Sequence, residues 1–128
     1  MTEAAAPVRV IEETSAYWKV VFDYPPFNMV DATIFEGLQD LLARMDASSS
    51  LRVVVFESAN PEFYLGHFDL TGKIGNIMTA VGASGLPILM DTFVRLTKSA
   101  VVSIAKIRVN YGLQLLAGPW LSAGSLKR

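Results

Sequence analysis

Residues 53–70 read VVVFESANPEFYLGHFDL, and this stretch decides the fold. Its first half, with Leu51 and Arg52 before it, is a nearly continuous apolar run. Such a run predicts a strand covered on both faces, as in a parallel sheet with helical crossovers. Its second half, NPEFYLGHFDL, is then the loop at the carboxyl end of a parallel strand, where open α/β sheets place ligands. Gly66 allows the backbone to approach a ligand or take an unusual φ. A helix start after it would aim backbone N–H groups at a negative oxygen, which makes Gly66 to Leu70 a candidate carbonyl or oxyanion site. The other reading is a surface loop packed down by Phe63, Tyr64 and Phe68.

Working outward, VRVIEETSAYWKVVFDYP predicts two strands joined by a polar turn and stopped at Pro25 and Pro26, which lack the N–H a ladder needs. DATIFEGLQDLLARMDASSS predicts a helix with Asp31 as its N-cap. Ile34, Phe35, Leu38, Leu41, Leu42 and Met45 share one face of it. The order strand, helix, strand makes a crossover unit. TGKIGNIMTAVGASG reads as a loose or weakly helical segment because of its glycines. LPILMDTFVRLTKSA predicts a further helix with Leu89, Phe93 and Leu96 on one face and Asp91, Arg95 and Lys98 toward solvent. AVVSIAKIR predicts another parallel strand, so residues 51–108 form a second strand-loop-helix-strand unit. The expected organisation is residues 1–108 as an α/β unit and 109–128 as a divergent, uncharged tail.

Composition bounds the function. The chain has 128 residues with 11 basic and 12 acidic side chains, so no basic excess points to nucleic acid or an anionic membrane. Cysteine is absent and histidine occurs once, which excludes thiolate sites and a multi-histidine metal site within one chain. No bound metal and no separate cofactor are expected. The start MTEAAAPVRV lacks the basic flank and apolar core of a signal peptide. The uncharged run 109–126 contains Asn110, Gln114, Pro119 and three glycines, too polar for a membrane span. A cytoplasmic setting is the expectation.

The lone histidine, His67, has two readings: a general base, or a loop residue without proton chemistry. No serine or cysteine nucleophile lies near it in sequence, and the i, i+2 spacing to Asp69 does not require the two to face each other. Glu57, Glu62, Asp69 and Asp91 have no spacing that demands a catalytic pair. GKIGN lacks the spacing of a phosphate loop.

Three stretches together resemble the enoyl-CoA hydratase/isomerase family, the crotonase superfamily. YPPFNMVDATIFEGL is similar to its Pro-x-x-Asn-x-hydrophobic segment leading into a first long helix. VVVFESANPEFYLGHFDL is similar to its strand followed by Phe-Ser-Ala-Gly-Ala-Asp-Leu. KSAVVSIAKIR is similar to its Lys-Pro-Val-Ile-Ala-x-Val strand. Order and spacing agree from Val8 to Arg108. The resemblance implies an incomplete crotonase-like (ββα) fold and an acyl-CoA thioester substrate, with coenzyme A entering only as part of that substrate. The activity implied is hydration or double-bond isomerisation through an enolate whose oxygen is held by two backbone N–H groups. Matching Asp69 and Leu70 to the family's Asp-Leu puts Phe68 at the first of these donors. His67 then stands where the family has glycine, and Gly66 where it has alanine. Asn28, Met29 and Val30 match the segment near the CoA and acyl groups.

The pattern departs after Arg108. The family's glycine-rich turn, with the second donor, would fall near residues 113–115, and its catalytic glutamate near Ala117. No acid follows Arg108 in this sequence. The expectation is a truncated or frame-shifted member with impaired activity, lacking the part through which the family forms trimers or hexamers. The alternative expectation is a non-catalytic acyl-CoA-binding or assembly fragment.

Overall fold

The computed structural model describes residues 5–72 and 74–108. In chain order the elements are β1 Val8–Glu12, β2 Tyr17–Phe22, α1 Ala32–Ala47, β3 Val53–Ser58, α2 Ile74–Thr79, α3 Ile88–Lys98 and β4 Val102–Ala105. They build one four-stranded sheet in the order β1-β2-β3-β4. β1 and β2 pair antiparallel, while β2-β3 and β3-β4 are parallel. Both parallel pairs are bridged by helical crossovers, as the order of sequence signals requires.

The core lies between α1 and one face of the sheet. Register places Val8, Trp18, Val20, Phe22, Val54 and Phe56 on that face, and they pack with Ile34, Leu41, Leu42 and Met45 of α1. The helix forms where its start signal lies: Asp31 Oδ1 accepts from the N–H groups of Thr33 at 2.9 Å and Ile34 at 3.2 Å. This cap and the apolar stripe make α1 the best-specified element of the chain.

Two expectations need correction. β3 is not covered on both faces by the described residues. Val54 and Phe56 are buried, but Val53 and Val55 are only half-buried, and on the same side Val102 and Ile104 of β4 are 56% and 46% exposed. A run of β-branched residues suits a strand whichever face is covered, so composition alone does not count the covered faces. The polar side chains on this second face pair among themselves: Lys19 with Glu13 at 2.9 Å and Glu57 at 3.8 Å, and Lys106 with Glu57 at 3.2 Å.

The second correction concerns α3. Asp91 does not face solvent; it is 0% exposed, whereas Phe93, expected inside, is 54% exposed. Asp91 accepts from the Ser84 N–H at 2.8 Å and from Gln39 Nε2 of α1 at 2.9 Å, with Arg95 at 3.4 Å. Gln39 also donates to Thr92 Oγ1 at 2.9 Å, and Arg95 pairs with Asp46. This polar seam joins α3 to α1 beside the apolar contacts of Phe93 and Leu96, because a buried carboxylate needs such partners. Gly82 lies so close to the Asp91 carboxyl that a Cβ there would collide with it.

Burial alone would raise the Asp91 carboxyl, but hydrogen bonds from Ser84, Gln39 and Arg95 outweigh it and hold the group down to about 2. The folded value lies below the ordinary 3.8, so this carboxylate stabilises the fold above about pH 4. That contribution fades as pH falls through about 2. Urea titrations at several pH values check this: about 2 kcal/mol of stability is lost between pH 4 and pH 2, and Asp91→Asn flattens that part of the profile.

Candidate functional site

The site grows from the chain segment between β2 and α1. Asn28 has φ 50°, a left-handed conformation that asparagine tolerates better than most residues, and its side chain points into the protein. Its Oδ1 accepts from the Tyr24 N–H at 2.7 Å. Its Nδ2 lies 2.7 Å from Ser58 Oγ, 3.0 Å from the Tyr64 carbonyl and 3.4 Å from the Phe22 carbonyl. One buried amide thus ties the ends of β2 and β3 to the loop after β3.

Two further polar residues hold that loop. Ser58 Oγ donates to the Phe63 carbonyl at 2.6 Å and accepts from the Asn60 N–H at 2.9 Å. Asn60 Oδ1 accepts from the Glu62 and Phe63 N–H groups, and its Nδ2 donates to the Pro26 carbonyl at 3.0 Å. Nothing in the sequence marks Ser58 for this role. The Asn-Pro dipeptide at 60–61 is the available signal for the turn. Burial pushes the neighbouring Tyr64 phenol up to about 12, so it stays neutral.

Residues 28–30 then run parallel to 66–69. The Gly66 N–H donates to the Asn28 carbonyl at 2.8 Å, the Val30 N–H to the His67 carbonyl at 3.1 Å, and the Asp69 N–H to the Val30 carbonyl at 2.9 Å. Val30 and Phe68 form the bridge pair. In a parallel bridge of this kind the residue between the two bonded neighbours turns its own N–H to the other side. The Phe68 N–H accordingly has no hydrogen-bond partner among the described residues.

Gly66 has a definite reason to be glycine, different from the expected approach to a ligand. A Cβ there would lie 2.6 Å from the Phe27 carbonyl oxygen, so the close neighbour is the protein's own backbone. Gly66→Ala is expected to cost about 1–3 kcal/mol, the usual range for overpacking. The loss is measurable by chemical denaturation, and an unchanged midpoint would contradict the geometry.

The remaining candidates divide clearly. Met29 and Val30 are partly buried beside the loop, and Leu70 is 81% exposed. His67 is exposed, and its imidazole makes no hydrogen bond among the described residues. Asp69 does not orient it. The Asp69 carboxylate accepts from the Thr71 hydroxyl at 2.6 Å and its N–H at 2.9 Å, bonds that lower its pKa. No helix begins at Gly66 to Leu70; α2 starts at Ile74, so the Phe68 N–H belongs to a strand-like loop and owes nothing to a helix terminus. Among the described residues no three potential metal-ligating side chains cluster. The second donor and the glutamate expected near 113–117 lie outside the described residues, as does the uncharged tail.

Chemically, a fixed N–H of this kind can hold a carbonyl oxygen and favour the form in which it carries charge. Glu57 and Asp91, two of the acids considered for proton transfer, are engaged in ion pairs, and Asp69 in its turn.

Comparison with known proteins agrees with this architecture. No protein-family profile matches the chain, and no curated protein does. Solved structures do. A Streptomyces avermitilis protein provisionally described as an enoyl-CoA hydratase is similar over 81% of this chain, with 28% identity and a TM-score of 0.67. An enoyl-CoA hydratase from Bacillus anthracis is similar over 80%, with 17% identity and a TM-score of 0.62. DspI of Pseudomonas aeruginosa is similar over 84%, with 21% identity and a TM-score of 0.60. This chain spans 39%, 40% and 45% of the lengths of those three. The fold is therefore part of the crotonase fold, and the resemblance seen in the sequence to the enoyl-CoA hydratase/isomerase superfamily holds in three dimensions. Among the described residues no helix is long and apolar enough to cross a membrane.

Proposed function

We propose that this chain binds an acyl-CoA thioester with its carbonyl oxygen on the backbone N–H of Phe68. The supporting observation is the Phe68 N–H, without a partner among the described residues and fixed between two neighbours whose polar groups are committed to Val30. Fixed backbone dipoles suit this task because they need no reorganisation as charge develops on the oxygen. The similarity to enoyl-CoA hydratases supports the choice of thioester. Hydration or double-bond isomerisation is the reaction class proposed for the complete site, with Met29 and Val30 beside the acyl group and coenzyme A arriving only with the substrate. A cytoplasmic setting belongs to the same reading.

Calorimetry tests it with crotonyl-CoA and S-butyl-CoA, a thioether of equal length without the carbonyl. Tighter binding of the thioester by about tenfold is expected, the contribution of one good hydrogen bond. Equal affinities would overturn the proposal. A turnover assay run beside it is expected to show little or no hydration by this chain, since Ala117 stands where the resemblance places the family's catalytic glutamate. An ordinary enzymatic rate would contradict that part.

A second reading, a non-catalytic acyl-CoA-binding or assembly module, is favoured by the sheet face around Val102 and Ile104, which the described residues leave exposed. Thioester binding without turnover is its expected signature.

A further inference from the structure

We infer that Phe93, together with Phe35 and Phe68, forms an aromatic wall that selects a thioester whose acyl group carries an aryl ring. The inference rests on the reading of the Phe68 N–H given above. The Phe35 ring, buried in the first turn of α1, lies 6.1 Å from the Phe68 ring and 6.3 Å from the Phe93 ring. Phe93 meets it edge-on, at 80°. Phe68 and Phe93 thus flank one buried ring, and of the three only Phe93 is exposed.

Two features make this wall part of the site. Its first ring is carried by the residue that supplies the proposed donor. Its last ring is displayed by α3 because that helix turns Asp91 inward, and the Asp91 bonds to Gln39 and Ser84 fix the helix rotation. An exposed phenyl ring anchored by a buried one presents a preset surface to a ligand. Aromatic rings at such spacings prefer edge-to-face or offset contact, and gain from it beyond what burial alone gives. A straight alkyl chain gains only burial.

The test uses calorimetry with the full chain and three thioesters: cinnamoyl-CoA, its cyclohexyl counterpart 3-cyclohexylacryloyl-CoA, and crotonyl-CoA. The phenyl and cyclohexyl groups match in size, so their ratio isolates aromaticity. The wild-type chain is expected to bind the phenyl compound about two- to tenfold more tightly than the cyclohexyl one. Phe93→Leu is expected to abolish that ratio, and Phe93→Tyr to keep it. Phe93 is exposed, so matched thermal melts of both variants are expected. Equal binding of phenyl and cyclohexyl compounds, or a ratio that survives Phe93→Leu, would overturn the aryl inference and leave the thioester reading standing. Failure of all three thioesters to bind would overturn both.

Discussion

Asn28→Ala is expected to destabilise the fold by about 3–5 kcal/mol, a large fraction of the roughly 5–15 kcal/mol typical of a domain. Three effects add. The Tyr24 N–H and the Phe22 and Tyr64 carbonyls lose a buried partner. A buried polar group left unpaired costs about 1–3 kcal/mol, although Ser58 keeps its bond to Phe63. Alanine at φ 50° adds about 1 kcal/mol of backbone strain. Asn28→Gly separates these contributions, because glycine accepts this backbone and lacks only the amide. It should still lose about 2–3 kcal/mol in urea denaturation. A neutral glycine variant would mean that the amide network contributes little.

Asp91→Ala is expected to cost about 3 kcal/mol, the lower end of the range for removing one partner of a buried ion pair. Arg95 retains Asp46, which moderates the loss. Gln39 Nε2 keeps Thr92, but the Ser84 N–H and one side of the Arg95 guanidinium are left without Asp91. Asp69→Ala is the control: its carboxylate serves only an exposed turn with Thr71, and its loss should stay near about 1 kcal/mol or below. Denaturation midpoints of the two variants measure the difference. Equal effects would contradict the polar seam between α1 and α3.

The elements that local rules specify are legible in the sequence. Asp31 followed by the Ile34 to Met45 stripe gives α1, and the β-branched and aromatic run Trp18, Val20, Val21 and Phe22 before Pro25 gives β2. The choice of Phe68 as a donor is not read from local rules; it follows from the family resemblance, by matching Asp69 and Leu70 to its Asp-Leu pair. The features that escape depend on partners distant in the chain. Asp91 looks like a surface residue by helical periodicity, because Gln39, the residue that pairs with it, lies 52 positions away. Gly66 looks like a ligand-approach glycine, because sequence does not show Phe27 beneath it. Asn28 carries no local mark of its left-handed backbone or of the partners its amide gathers from β2, β3 and the loop after β3. Which faces of β3 are covered is a property of what packs there, and valines do not record it.

The most direct test of the thioester site is the amide spectrum of 15N-labelled protein titrated with crotonyl-CoA and, separately, with S-butyl-CoA. The Phe68 amide is predicted to show a large downfield proton shift with the thioester and a small one with the thioether, while His67 and Asp69 move little. A Phe68 amide that responds alike to both ligands, or to neither while other residues shift, would contradict the account.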